Sequence, residues 1–133
     1  MSAYRGLLED VAKQQDWVLN EDTEGGFIIG MPTTEVRTQS VHIEVREDAE
    51  GAAVAVIWSE VAEASKFADP WQLLDFNWNN LYGSLARRGP AVVLVHHQLL
   101  ESAEVDEIGR ALAQLGKTAD AIEEEIYGEL DLN

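Results

Sequence analysis

The chain has 133 residues, of which 25 are acidic and 9 are basic, and its formal net charge is −16. This length favours a single domain over residues 1–133, and this charge argues against direct binding to nucleic acid or to an anionic membrane. The absence of cysteine excludes disulfides, thiolate metal sites and cysteine nucleophiles. No segment reads as a membrane span or a signal peptide, so we expect a cytoplasmic protein whose acidic surface attracts basic partners.

The first half of the chain predicts one helix followed by three or four strands. Residues 2–15 place four apolar side chains at helical spacing: Tyr4, Leu7, Leu8 and Val11. The segments expected to be strands are 17–19, 27–31, 36–46 and 52–61. Residues 36–46 alternate between apolar and polar, as a half-buried strand does. Residues 52–61 are apolar on both faces, which indicates either a strand covered on two sides or an apolar surface awaiting a partner.

The segment 69–88, DPWQLLDFNWNNLYGSLARR, carries the strongest pattern in the chain. Asp69 is placed to cap a helix, and Pro70 suits the first helical position, where a missing N–H costs no hydrogen bond. An apolar stripe at steps of three and four follows: Trp71, Leu74, Trp78, Leu81 and Leu85. Three further side chains widen this stripe: Leu73, Phe76 and Tyr82. One face of a small sheet does not cover so much apolar surface, so the helix either lies in the core or meets another chain.

The last part of the chain predicts a strand and a long helix. Residues 91–97 are β-branched and apolar, and Ser102 is placed to cap the helix that follows. That helix has a regular apolar seam: Val105, Ile108, Leu112, Leu115, Ala119, Ile122 and Ile126. Such a seam suits a core helix, or with lower weight a coiled coil. Gly109 and Gly116 lower its intrinsic helicity and make a kink possible. Consecutive strands with helices on one face indicate an α+β fold with an antiparallel sheet.

This order of elements and one motif resemble the fold shared by type III secretion chaperones and YbjN-like proteins. The motif is LLDFNWNN at 73–80, which is similar to the LL-x-x-N segment of the chaperones and to the paired asparagines of YbjN-like proteins. The matching residues are Leu73, Leu74 and Asn77, with Asn80 one turn further on.

Two further segments carry the same resemblance. RTQSVHIEV at 37–45 is similar to the R-x-Q-x-V strand of the chaperone-like branch outside secretion systems. TADAIEEEIYG at 118–128 resembles the Ala-Asp pair and apolar helical ending of the family. The resemblance implies an intracellular homodimer without enzymatic activity. Its chaperone members bind an extended client segment on the first helix and the sheet, and its YbjN-like members have regulatory or stress-associated roles.

The residues offer little support for metal or acid–base chemistry. His96 and His97 are adjacent in a strand and point to opposite faces, which is unfavourable for joint metal ligation, and His42 is isolated. The turn NEDTEG resembles half of a calcium loop, but Met31 occupies the position of its bidentate ligand and does not bind calcium in that way. The chain contains no nucleophile elbow, P-loop or dinucleotide motif. We therefore expect no cofactor, no metal and no catalytic residue.

The leading hypothesis from the sequence is a homodimeric, chaperone-like adaptor. Its expected dimer interface is Trp71, Leu74, Trp78, Leu81 and Tyr82. Its expected partner-binding residues are Leu7, Leu8, Val11, Phe27, Ile29, Val54 and Val56. The alternative is a YbjN-like regulatory module that binds one defined protein, for example a basic protein that handles nucleic acid. Asn77 and Asn80 are expected to be structural, with Asn77 satisfying a backbone group of a neighbouring strand or loop.

Overall fold

The computed structural model describes residues 2–21, 25–33 and 37–128. Residues 22–24 of the predicted first turn and Val36 of the predicted third strand lie outside this description. The elements before the middle helix are α1 (Ser2–Gln15), β1 (Val18–Glu21), β2 (Phe27–Pro32), β3 (Thr38–Glu47) and β4 (Ala53–Glu63). The elements that follow are a 3-10 turn (Ala64–Lys66), α2 (Pro70–Asn79), β5 (Ser84–Arg88), β6 (Ala91–Leu99), α3 (Val105–Glu123) and a π-helical turn (Glu124–Gly128). The predicted α+β class and order of elements are confirmed.

The strands form one antiparallel sheet in the order β1-β2-β3-β4-β6-β5. Strands β4 and β6 are therefore neighbours, and the chain between them forms an excursion that contains α2 and returns to the sheet as the edge strand β5. The two ends of this excursion meet, because the Ala64 N–H donates to the Pro90 carbonyl over 2.8 Å. Strands β1 and β5 form the two edges of the sheet.

Helices α1 and α3 cover one face of the sheet. Alternate side chains of each strand point to that face and meet the helices there. Val41, Ile43 and Ile57 form the middle of this buried face. The seam of α3 packs onto it through Ile108, Leu112, Leu115 and Ala119. Of the two interpretations of the seam, the structure therefore supports a core helix. No helix of the described residues is long and apolar enough to cross a membrane.

Two glycines of α3 allow close packing and do not break the helix. A Cβ built on Gly109 lies 3.3 Å from the side-chain nitrogen of Gln15 and 3.7 Å from the Val11 side chain, both on α1. A Cβ on Gly116 overlaps the sulfur of Met31 on β2. Helix α3 nevertheless runs unbroken from Val105 to Glu123. The helix is therefore not interrupted at either glycine, and both glycines mark close approaches, to α1 and to the sheet respectively.

The start of the middle helix is confirmed and its predicted length is wrong. The Asp69 carboxylate accepts a hydrogen bond from the Trp71 N–H over 3.0 Å, with Pro70 at the first helical position. The helix ends at Asn79, because the Asn80 side chain donates to the carbonyls of Tyr82 and Gly83 and stabilises a turn there. Leu81 and Tyr82 therefore lie in the turn, and Leu85 lies on β5.

The predicted cap of the last helix is also wrong. Helix α3 begins at Val105 and its cap position is Glu104, which makes no side-chain capping hydrogen bond. Ser102 lies in the turn before it. Asp106 and Glu107 occupy the first turn of α3, where their charge is favourable beside the positive end of the helix dipole.

Candidate protein-interaction surfaces

The outer surface of α2 carries the largest apolar side chains that the fold leaves exposed. Trp71, Leu74 and Trp78 are 73%, 57% and 88% exposed, and Leu81 in the following turn is 88% exposed. We call these four residues the α2 ridge. The stripe predicted from the sequence thus divides into two parts: the ridge faces outward, while Leu73 and Phe76 turn inward and are half-buried. Several large exposed apolar side chains in one short segment are typical of a protein-interaction surface.

Helix α2 is held to the sheet by few buried contacts. None of its residues is fully buried, although Phe76 packs against the edge of the core. The Asn77 side chain makes two hydrogen bonds to the backbone of Leu85 on β5: its oxygen accepts from the N–H over 2.6 Å, and its nitrogen donates to the carbonyl over 3.2 Å. Asn77 therefore ties the last turn of α2 to the edge strand.

Tyr82 lies apart from the ridge. It is half-buried, and its ring lies 6.0 Å from that of His96 on β6, measured between centroids. Burial lowers the pKa of His96 below its ordinary value of 6.5, and the neighbouring His97 lowers it further, while a hydrogen bond with Gln98 opposes both effects. Tyr82 thus contacts the chain's own sheet, and we leave it out of the proposed dimer contact.

A cavity of about 420 Å³ lies between α1 and the edge strand β1. Its apolar lining consists of Ala12, Trp17, Leu19 and Phe27. Its polar lining consists of Arg5, Glu9, Lys13, Asn20 and Glu21, with an ion pair between Arg5 and Glu21. Because the cavity adjoins an edge strand of the sheet, an extended segment lying along β1 has a place for an apolar side chain.

Most of the predicted partner-binding residues belong to the core. Leu8, Val11, Phe27 and Ile29 are fully buried between the helices and the sheet. Val56 points to the other face of the sheet but is also buried. These side chains offer a partner little or no surface, because the chain already covers them, although Phe27 also lines the cavity beside β1. Leu7 and Val54 are half-buried. Sequence reasoning missed Trp17 and Leu19 as cavity-lining residues, although their position beside the α1–β1 turn places them at the edge of the core.

A second cavity, of about 630 Å³, lies between α2 and the end of α3. Its apolar lining consists of Phe67, Leu73, Phe76, Leu85, Ile122 and Ile126, and Lys66 and Glu125 also line it. The inward side of α2 is thus incompletely covered, which is consistent with the absence of a fully buried residue in that helix.

The face of the sheet opposite to the helices is organised around Trp58. The His42 ring stacks on it with a centroid distance of 4.0 Å and an interplanar angle of 6°. The Arg88 guanidinium lies 4.3 Å from the centroid of the indole ring. Exposed charged side chains of β3, including the ion pair of Arg46 with Glu44, lie on the same face. This face is accordingly mixed in character, unlike the α2 ridge.

His96 and His97 point to opposite faces of the sheet, as the sequence predicts, whereas His42 is not isolated, because it stacks on Trp58. The cross-strand partner of His96 is Ile57, a core residue, whereas His97 lies opposite Val56 and points to the other face. No group of three or more histidine and acidic side chains in the described segments is arranged to hold a metal ion. Among the described residues, the features that stand out are the apolar surfaces given above.

Comparison with known proteins gives a likeness of fold. No protein-family model matches the chain, and no curated protein matches it. Among solved structures it is similar to the type III secretion chaperone SycH of Yersinia pestis, solved in complex with a stable fragment of YscM2. The two share 15% sequence identity and a TM-score of 0.59, over 90% of this chain and 98% of the SycH chain. The chain therefore has the fold of a type III secretion chaperone.

Proposed function

We propose that this protein is a non-enzymatic, homodimeric, chaperone-like adaptor of the cytoplasm that binds a segment of a partner protein. The observation that carries the proposal is the α2 ridge, with two tryptophans and two leucines exposed between residues 71 and 81 of a protein with a chaperone fold. A free monomer keeps this surface in water at all times. A two-fold interface is self-complementary, so one ridge on each protomer is sufficient to cover the other.

The size of the ridge fits an association interface. Burying one large apolar side chain stabilises a complex by about 1.5–3 kcal/mol, and interface tryptophans are among the residues that dominate association energies. Two ridges packed together offset the loss of translational and rotational freedom, which is on the order of 4–15 kcal/mol. The ridge residues carry no charge, so the net charge of −16 repels the protomers mainly through groups outside the contact.

The test of the dimer is sedimentation equilibrium of the wild-type protein and of Trp78→Ala. We expect the wild type to be a dimer and the variant to associate about 30-fold more weakly, which corresponds to about 2 kcal/mol. Leu99→Ala is the matched control, because Leu99 is 45% exposed but lies on β6 away from the ridge. A monomeric wild type, or a Trp78→Ala protein as fully dimeric as the control, contradicts the ridge assignment.

The proposed place for the partner segment is the cavity between α1 and β1. SycH was solved in complex with a fragment of another protein, and the cavity combines an apolar lining with an edge strand of the sheet. An extended segment that pairs with β1 directs alternate side chains to the same side, so one of them enters the cavity. The excess of acidic groups on the chain favours a segment that carries basic residues, because complementary charge accelerates association.

Leu19→Lys tests this surface against Val18→Lys as control. Leu19 lines the cavity, whereas the neighbouring Val18 points to the opposite face of β1 and is 63% exposed. With the partner co-purified from native extract, we expect Leu19→Lys to weaken binding at least tenfold and Val18→Lys to leave it within about threefold. Thermal unfolding of both variants checks that they are folded. Equal losses of binding in both variants contradict the proposed surface. Association rates that do not change with salt contradict its electrostatic role.

The second candidate function is a YbjN-like regulatory module that binds one folded protein. The exposed tryptophans favour it, because rigid aromatic side chains are typical anchors in interfaces between folded proteins. Limited proteolysis of the co-purified complex distinguishes the two functions. A partner segment that is protected only in the complex supports the adaptor, whereas a folded partner that is equally resistant when free supports the regulator.

A further inference from the structure

The edge strand β5 is closed by a side chain where another strand would otherwise pair. Both backbone groups of Leu85 that point away from β6 are hydrogen-bonded to the Asn77 side chain. Leu85 is the second of five residues in β5, with Leu94 of β6 as its cross-strand neighbour. The amide of Asn77 therefore provides the donor and acceptor that a further strand would provide.

The same geometry identifies which other groups of β5 point outward. In an antiparallel pair, alternate residues direct their N–H and C=O groups to the partner strand and away from it. Because the backbone N–H and C=O of Leu85 point away from β6, those of Arg87 do so as well. The backbone groups of Ser84, Ala86 and Arg88 point towards β6 and bond to it. An approaching strand thus needs the outward groups of Leu85 and Arg87, and Asn77 already occupies the first pair.

We propose that Asn77 closes the β5 edge to pairing with β5 of a second copy of this chain. A free edge strand of this length is a ready template for strand addition, which proteins prevent by covering it. A second copy fits the edge, because antiparallel pairing centred on Ala86 places Ser84 opposite Arg88 and Leu85 opposite Arg87. No like charges then lie directly opposite each other. Asn77 thus prevents two copies from forming one continuous sheet.

The two hydrogen bonds of Asn77 are decisive because α2 makes few buried contacts that would otherwise keep it at the β5 edge. None of its residues is fully buried, and a cavity of about 630 Å³ lies on its inward side. When the two hydrogen bonds of Asn77 are lost, the last turn of α2 separates from β5 and the outward groups of Leu85 become available. This inference does not depend on the ridge dimer, since strand pairing at β5 is a different contact.

The experiment is sedimentation velocity of Asn77→Ala over a series of concentrations, with hydrogen exchange at the Leu85 amide. We expect the amide to exchange at least tenfold faster in dilute solution, and species larger than those of the wild type to form at about tenfold lower concentration. Asp69→Ala is the control, because it removes the cap of α2 and lowers the stability of the helix while keeping Asn77.

A second variant separates edge pairing from simple misfolding. Arg87→Pro in the Asn77→Ala background removes an outward N–H that the β5–β6 ladder does not use, so we expect it to restore the wild-type distribution. The proposal is overturned if Asn77→Ala is less stable but sediments like the wild type, if Asp69→Ala forms the same larger species, or if Arg87→Pro fails to reverse them. A monomeric wild type rejects the ridge dimer and leaves this outcome unaffected.

Discussion

The guanidinium group of Arg37 lies 2.9 Å from the carboxylate of Asp120, so an ion pair joins the residue before β3 to the end of α3. The same arginine lies 2.8 Å from the Glu124 carboxylate, and it donates to the Asp120 carbonyl over 3.4 Å. Arg37 and Asp120 belong to two separate segments that resemble the chaperone-like proteins, 37–45 and 118–128. These two segments meet in the structure, where the ion pair between Arg37 and Asp120 holds the start of β3 against the end of α3.

Removing the arginine is expected to destabilise the fold. Asp120 is 7% exposed, so Arg37→Met leaves a largely buried carboxylate without its ion pair, at a cost of about 2–3 kcal/mol. Urea unfolding followed by tryptophan fluorescence measures the change. The double variant Arg37→Met with Asp120→Leu is expected to recover part of the loss, because it removes both charges. A loss below about 0.5 kcal/mol in the single variant indicates that solvent screens the pair.

Alanine substitutions at two glycines are expected to have opposite signs. Gly6→Ala in α1 meets no atom within 4 Å and raises helix propensity, so we expect a gain of about 0.5–1 kcal/mol. Gly116→Ala in α3 drives its methyl group into Met31, so we expect a loss of about 1–3 kcal/mol despite the same gain in propensity. Thermal and urea unfolding of both variants measure these changes. A stabilised Gly116→Ala protein contradicts the close contact with β2.

Asp16→Gly is expected to stabilise the end of α1. Asp16 has a φ of 61°, in the left-handed region, where glycine has no steric cost. The turn is held by hydrogen bonds from Asp16 N–H to Lys13 O and from Trp17 N–H to Ala12 O, the pattern of a glycine-type helix end. We expect the free energy of unfolding to rise by about 0.5–1 kcal/mol, measured by urea unfolding. Asp16→Val, which is strained at this φ, is expected to destabilise.

Stability is expected to fall at mildly acidic pH, in part through His96. The pKa of His96 is lowered mainly by burial, so the unfolded chain binds this proton more readily than the folded protein. The destabilisation that comes from protonating His96 is therefore absent well above pH 6.5. It reduces the unfolding free energy as the pH falls below that value. His96→Leu is expected to lose less stability than the wild type between about pH 7.5 and about 5.5. His97→Leu, on the opposite face, is the control for a general histidine effect, and equal pH slopes in His96→Leu and the wild type contradict the assignment.

The order of elements follows from local pattern, because alternation and helical spacing report directly on which face is buried. The end of α2 does not follow from such a pattern. Leu81 and Leu85 continue the helical spacing of Trp71 and Trp78, but they lie in a turn and on a strand. The side chain of Asn80 ends the helix through a hydrogen-bonded turn. The sequence marks Asn80 as structural, but the helical spacing continues past it and hides the turn.

The candidate surfaces were predicted unevenly, for a reason that lies in tertiary packing. The sequence shows that segment 69–88 has too much apolar surface, but the position of β5 decides that Leu73 and Phe76 turn inward while Trp71 and Trp78 stay outside. Apolar strand residues such as Ile29 look available in the sequence because the helices that cover them are distant in the chain. The cavity beside β1 arises where three elements meet, which no local pattern describes.

The excursion between β4 and β6 has a consequence for how this protein can change. Its ends meet at the hydrogen bond between Ala64 and Pro90, and β4 pairs directly with β6 beneath it. The α2 ridge lies within this excursion, whereas the cavity beside β1 lies outside it. Substitutions and length changes between residues 64 and 90 thus alter the outward-facing helix while the ladder that joins the other five strands keeps its register. Changes in the proposed dimer contact can therefore arise separately from changes in the proposed partner-binding cavity, in evolution or by engineering.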